Sequence, residues 1–145
     1  MVQRHYPEAP LVGVCTAIWR GDRMVLVQRG REPNMGQWAM PGGLVDVGEP
    51  LAQAAQREVL EETALAVDLP ALVEPFEIIR RDDTGRVAHH YILIMHAVIC
   101  AHGEPVAGDD AAAVGWYSLA EMERLDLTGN TCALAARARR HLGLA

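Results

Sequence analysis

The chain has no lysine: all 13 basic residues among its 145 are arginine. That excludes Schiff-base chemistry and the lysine of a phosphate-binding P-loop. Cysteine is scarce as well. Cys15, Cys100 and Cys132 are odd in number, scattered and not in CxxC spacing, so buried free thiols are expected. The six histidines form no zinc pattern, and His89 and His90 point to opposite faces if their segment is a strand. No apolar run has the length of a membrane span. The longest, residues 91–101, is broken by His96 and reads as a buried strand. Basic tracts are missing apart from Arg137, Arg139 and Arg140, and the net charge is −6, which argues against a dedicated nucleic-acid binder. The N-terminal residues lack the charged-then-apolar pattern of a secretory signal, so a cytoplasmic protein is expected.

What is present suits one domain over residues 1–145 with a real core: 50% of residues are hydrophobic and 22% charged. Residues 11–19 and 24–28 flank a Gly-Asp turn and read as a hairpin, and residues 29–37 read as a loop. A short strand at 38–40 should end at Pro41-Gly42-Gly43. A helix fits residues 50–63, with Pro50 at its first position and Leu51, Ala55 and Val59 as its apolar stripe. Residues 76–81 and 87–101 form a second hairpin around Asp82-Asp83-Thr84-Gly85. Apolar side chains on both alternating sets make the second of these a central strand. A strand at 114–117 and helices at 119–125 and 128–142 follow, the last with Thr128 as N-cap and Gly143 as stop. This mixture predicts an α/β fold, a sheet with helices on both faces.

The chemistry concentrates on the first helix. At about 100° per residue, Glu58, Glu61 and Glu62 fall on one face, spaced i, i+3 and i, i+4. Like charges at that spacing repel, and these sit towards the end where the helix dipole is already negative. A hard divalent cation reverses both penalties, because Mg2+ takes carboxylate oxygens, waters and phosphates. Arg57 lies one turn before Glu61 and can brace it by a charge-assisted hydrogen bond. Gly42-Gly43 brings bare backbone to the helix approach, where carbonyls can act as ligands and phosphates can come close.

The spacing itself is informative: Gly43, five residues, Glu49, seven residues, then Arg57-Glu58-Val59-Leu60-Glu61-Glu62, then Thr63-Ala64-Leu65. This resembles the Nudix box at every position except Ala64, where the family has glycine. The flank Trp38-Ala39-Met40-Pro41-Gly42-Gly43 and the order of elements from Leu11 to Leu142 are also similar to that family. The resemblance implies an α/β/α sandwich with a mixed sheet. It implies Mg2+ or Mn2+ held by Glu58, Glu61 and Glu62 with the Gly42 carbonyl, Arg57 orienting the glutamates, and Glu49 supporting the loop–helix geometry. It implies hydrolysis of a nucleoside diphosphate linked to another group. Glu62, Glu61 or an acid from a later loop would take the proton of the attacking water. Asp109 and Asp110 lie where many members carry a further ligand or base. Arg29, Arg31, Gly43 and Asp109 are the candidate substrate contacts.

Two further expectations concern the exit and the substrate. Glycine past a helix end usually takes a left-handed conformation, and alanine there costs roughly 1–2 kcal/mol. Ala64 should therefore keep a positive φ with some strain, or the helix should end differently. The segments 41–49 and 103–118 look like those of ADP-ribose pyrophosphatase-type members, which favours ADP-ribose or a nucleotide sugar. Pro75 comes earlier than the proline of ADP-ribose specialists, so a nucleoside triphosphate pyrophosphatase is the close rival. A non-catalytic nucleotide sensor is the alternative of another class. Trp19, Trp38, Tyr91, Trp116 and Tyr6 are candidates to stack on a base, and Arg80, Arg81 and Arg86 are lesser candidates for phosphate. Related ADP-ribose enzymes are often dimers, so the resemblance leans towards a homodimer.

Overall fold

The structure is a computed structural model that describes residues 2–32, 34–108 and 110–144. Two strands, β1 (Leu11–Arg20) and β2 (Arg23–Arg29), begin as the expected hairpin but stay paired only at its tip, Trp19 with Met24 and Arg20 with Arg23. Beyond the tip they part. The space between them is filled by residues 38–44, which pair first with β2 as β3 (Trp38–Ala39) and then with β1 as β4 (Gly42–Leu44). The Pro41-Gly42-Gly43 sequence was expected to stop a strand. It stops β3, but the chain changes partner there and forms β4.

Helix α1 (Leu51–Thr63) follows, with Pro50 as its cap residue rather than its first helical one. Strands β5 (Ala71–Arg81) and β6 (Val87–Ile99) make the second hairpin, β5 starting earlier than its first strongly apolar residues suggested. β6 lies parallel to β1 over nine residue pairs, Leu11–Tyr91 to Trp19–Ile99, so the sheet is mixed. Strand β7 (Ala111–Ser118) lines the free edge of β2. The path runs β3-β2-β1-β6-β5, with β4 on β1 and β7 on β2. Pro75 sits in the edge strand β5, where a missing N–H breaks no ladder on the outer side.

Alternation along β1 assigns the two helical layers. Cys15, Ala17 and Trp19 join the cluster under α2 (Leu119–Met122) and α3 (Thr131–His141). Val14 packs with Ala54 and Ala55, and Ile18 with Val59, on the opposite face under α1. The architecture is thus the expected α/β/α arrangement. Two details differ. Helix α2 is a single turn closed by a Ser118–Glu121 capping box, not a helix to residue 125. Helix α3 is capped at Asn130, because Thr128 turns one step earlier and accepts from the Thr131 N–H and hydroxyl. Gly143 does end it, with φ 75°. Cys15 and Cys100 are buried free thiols, and burial pushes the Cys15 thiol up to about 12. Among the described residues no helix is long and apolar enough to cross a membrane.

Candidate active site on the acidic helix

The site forms where β1 and β2 part. The hydrogen bonds Thr16 N–H to Pro41 O and Val45 N–H to Val12 O fix the β1–β4 register. In an antiparallel ladder polar groups alternate sides, so the N–H and C=O of Gly42 both turn away from β1. The Gly42 N–H donates to Glu62 Oε2 at 3.2 Å, which brings the end of α1 against this edge. Gly42 has to be glycine here, since a Cβ would collide with the backbone carbonyl of Val14, whereas a Cβ at Gly43 would displace the Glu58 carboxylate.

Arg57 is the hub. Its Nε and Nη2 donate to both oxygens of Glu49 at 2.7 and 2.9 Å. Nη1 donates to Glu58 at 2.8 Å and to Glu61 at 3.2 Å, and Nη2 also reaches the Leu44 carbonyl at 3.1 Å. Glu49 in turn accepts from the Asp46 N–H at 3.0 Å, closing the loop between β4 and α1. The guanidinium holds the Glu49 carboxyl down at about 2, and its partners in turn hold Arg57 more firmly protonated than usual. One arginine thus faces Glu49, Glu58, Glu61 and, at 3.8 Å, Asp46, which leaves the site strongly negative.

The three glutamates share a face as the spacing requires, but their hydrogen-bond partners differ. Arg57 holds Glu58 and Glu61, whereas Glu62 turns to Gly42. Among the described residues no three carboxylate, imidazole or thiol groups stand as a closed metal cage. Their exposures also differ: the Glu58 side chain is 13% exposed and Glu61 58%. Burial pushes the Glu62 carboxyl up to about 7, against the Gly42 N–H and with help from Glu58. Burial raises Glu58 too, outweighing Arg57. Two desolvated carboxylates beside an outward carbonyl are a donor set that suits a hard divalent ion, because a cation would remove the cost of ionising them. Glu61 is exposed enough to swing in without loss of packing.

Asp110 and the loop arginines complete the rim. Arg31 pairs with Asp110 at 2.9 Å, both side chains largely exposed, and the Gly30 N–H donates to the Asp110 carbonyl at 3.1 Å. Arg29 and Asp110 are close enough to act on Glu62 in opposite senses, Arg29 lowering and Asp110 raising its proton affinity. Asp109 lies outside the described residues. Most other candidates are committed elsewhere. Trp19 is fully buried in the core, and Trp38 packs edge-on against Tyr117. Trp116 lies under Arg20, and Tyr6 bonds Asp82. Tyr91 stacks on His89, half-buried. Arg80 bonds Asn34, Arg81 the Gly85 carbonyl, and Arg86 covers the Tyr6 ring. Of these arginines, Arg29 and Arg31 remain the ones at the acidic face.

The helix exit resolves the Ala64 question in favour of the first alternative. Ala64 adopts φ 61° and ψ 10°, and its N–H donates to the Leu60 carbonyl. What the sequence reading missed is the partner of the next carbonyls. The Val106 N–H donates to Thr63 O at 2.8 Å and the Gly108 N–H to Glu62 O at 3.0 Å. Only the Gly-Asp-Asp turn hinted at this segment, and a turn signal does not say what the turn lies against.

A profile of the NUDIX domain matches residues 9–134. A Methanocaldococcus jannaschii protein named ADP-ribose pyrophosphatase is 33% identical over 116 residues, 80% of this chain and 66% of its own length. A Mycobacterium tuberculosis protein named putative 8-oxo-dGTP diphosphatase 2 is 34% identical over 114 residues, 78% of this chain and 77% of its own. Among solved structures, the MutT NUDIX hydrolase of Burkholderia pseudomallei superposes with a TM-score of 0.75 at 32% identity, covering 90% of this chain and 98% of that one.

Proposed function

The chain belongs to the NUDIX domain family, and from that premise we propose that it is a divalent-metal-dependent pyrophosphohydrolase of nucleoside diphosphate derivatives. The observation that carries this reading is the pair of desolvated carboxylates, Glu58 and Glu62, beside the outward backbone of Gly42.

Glu58 and Glu62, with Glu61 and the Gly42 carbonyl, would hold Mg2+ or Mn2+. Bound there, such an ion supplies charge to offset the pyrophosphate oxygens and acidifies an attacking water. Arg57 spends its donors on Glu49, Glu58 and the Leu44 carbonyl, so it orients ligands rather than touching phosphate. Glu62, Glu61 or Asp110 would take the proton of the attacking water. Arg29 and Arg31 stand on the same rim, where phosphate oxygens would lie.

ADP-ribose or a nucleotide sugar is the favoured substrate, supported by the likeness to the Methanocaldococcus protein. The Mycobacterium relative, equally similar, supports a nucleoside triphosphate instead. A single hydrolase domain over residues 1–145, cytoplasmic residence, a small-molecule nucleotide rather than nucleic acid as partner, and a homodimer belong to the same proposal. A phosphate-release assay over ADP-ribose, nucleoside triphosphates and dinucleoside polyphosphates with Mg2+ or Mn2+ tests it. Turnover of ADP-ribose above the others is expected. Nucleotide binding with no turnover of any compound makes the protein a sensor and ends the enzyme reading.

A further inference from the structure

Two segments remote in sequence meet at the end of α1. The stretch from Gly103 to Gly108 is tied at its far end by Arg20, which donates to the Gly103 carbonyl at 2.6 Å, the Cys100 carbonyl at 2.8 Å and Glu104 at 3.2 Å. Trp116 lies beneath the same guanidinium at 4.3 Å and donates its Nε1–H to Glu104 at 3.3 Å. At its near end the stretch supplies the N–H groups of Val106 and Gly108 to the last carbonyls of α1. Helix ends leave such carbonyls unpaired unless something outside the helix serves them. Gly108 approaches so closely that a Cβ would collide with the Glu61 carbonyl oxygen and lie 3.2 Å from the Glu62 Cα. Two residues on, Asp110 is held by Gly30 and Arg31.

We propose that Gly108 is a positioning residue that keys the 103–108 segment onto the last turn of α1 and so holds Glu62 and Asp110 in register across the site. The proposal rests on the hydrolase reading above. Gly108 touches no reacting group. It acts through the carbonyl of Glu62 on one side and the chain leading to Asp110 on the other, and the Arg20–Glu104–Trp116 cluster is its distant anchor. A methyl group at residue 108 must lift the segment off the helix, because the atom it meets is backbone and cannot rotate away.

The test uses Gly108→Ala and Glu104→Ala, with Glu104→Gln as the conservative variant that keeps one of the two acceptor oxygens, enough for Arg20 but not for Trp116 as well. Four quantities are read: kcat and KM with Mg2+, Mn2+ affinity by electron paramagnetic resonance without substrate, and hydrogen exchange at the Val106 amide. Gly108→Ala is expected to lower kcat by about 10- to 100-fold with KM within about threefold, as small displacements of reacting groups do. Its Mn2+ binding should weaken and Val106 exchange faster. Glu104→Ala, on an exposed side chain, should lower kcat about three- to fivefold with faster Val106 exchange, and Glu104→Gln should restore part of both. Wild-type kcat, Mn2+ affinity and exchange in both alanine variants would overturn the proposal, as would losses that merely track the folded fraction. If Gly108→Ala does not fold, Glu104→Ala decides by the same exchange and kcat criteria. Should the wild type hydrolyse nothing, the hydrolase reading fails alone, since exchange and Mn2+ affinity still report on the brace.

Discussion

Two charged clusters in this molecule look alike on paper and differ in kind. On the hairpin between β5 and β6, the single carboxylate of Asp82 accepts from the Thr84 N–H and hydroxyl, the Arg86 N–H and the Tyr6 hydroxyl. These donors, Thr84 first, hold its carboxyl well below the usual range. Arg86 covers the Tyr6 ring, and His5 stacks on His89, so the N-terminal arm is pinned to the hairpin. At α1 the ratio is reversed: one guanidinium serves three glutamates, Glu49, Glu58 and Glu61, and the half-buried Glu62 has a backbone N–H as its hydrogen-bond donor. Its carboxyl moves up rather than down. A saturated carboxylate holds structure together. The Glu62 carboxylate, with one backbone donor, has room for a further cationic partner.

Removing charge from the two clusters should have opposite consequences. Glu62→Gln is expected to cost about 100-fold or more in kcat while the protein stays folded, read by phosphate release beside a thermal melt. A variant that melts higher than wild type at pH 8 yet is inactive would mark Glu62 as a carboxylate kept at the expense of stability. Arg57→Lys replaces a forked donor with a point charge and loses the two-oxygen grip on Glu49. It should lower activity about 10-fold and stability by about 2 kcal/mol in denaturant unfolding. Wild-type behaviour would mean that the hub is dispensable.

The pH dependence sharpens the same contrast. The Glu62 carboxyl is raised in the folded state from 4.5 to about 7, so the folded chain holds that proton more tightly than the unfolded chain. Its stabilising contribution is complete below about pH 4.5 and is lost as pH rises through about 7. Melts in EDTA should therefore fall across that window. Saturating Mg2+ should add more stability at pH 8 than at pH 5.5, because the ion binds the ionised form and releases a proton. Equal Mg2+ stabilisation at both values would remove Glu62 from the ligand set. Ala64→Gly should stabilise by about 1 kcal/mol without changing kcat, since only the left-handed exit is relieved. The smallest effect is expected for Tyr6→Phe. It loosens a half-buried contact of the arm, so faster exchange near Ala88 should accompany unaltered turnover.

Local features were legible before the fold was known. Glu58, Glu61 and Glu62 had to share a face because helical spacing is rigid, and Arg57 had to lie beside Glu61 for the same reason. The alternation that set His89 and His90 apart holds in the register, where they oppose Arg80 and Ile79. The left-handed Ala64 was one of the two outcomes that the stereochemistry of helix ends left open. Partner choice was not legible. Pro41-Gly42-Gly43 carries a break signal, and whether the chain stops or changes neighbours depends on the gap that β1 and β2 leave. Nor could spacing say how the three carboxylates divide, Glu58 and Glu61 to Arg57 and Glu62 to the Gly42 N–H.

The sequence by itself determined the acidic helix, its arginine and the order of elements, because each depends on residues within a few turns of one another. Tertiary structure alone decided the rest. It chose which carboxylates are desolvated, turned the backbone of Gly42 outward, and laid Gly108 on the carbonyls that α1 could not satisfy. Those outcomes depend on which distant segments exclude water from one another, and no local pattern encodes that.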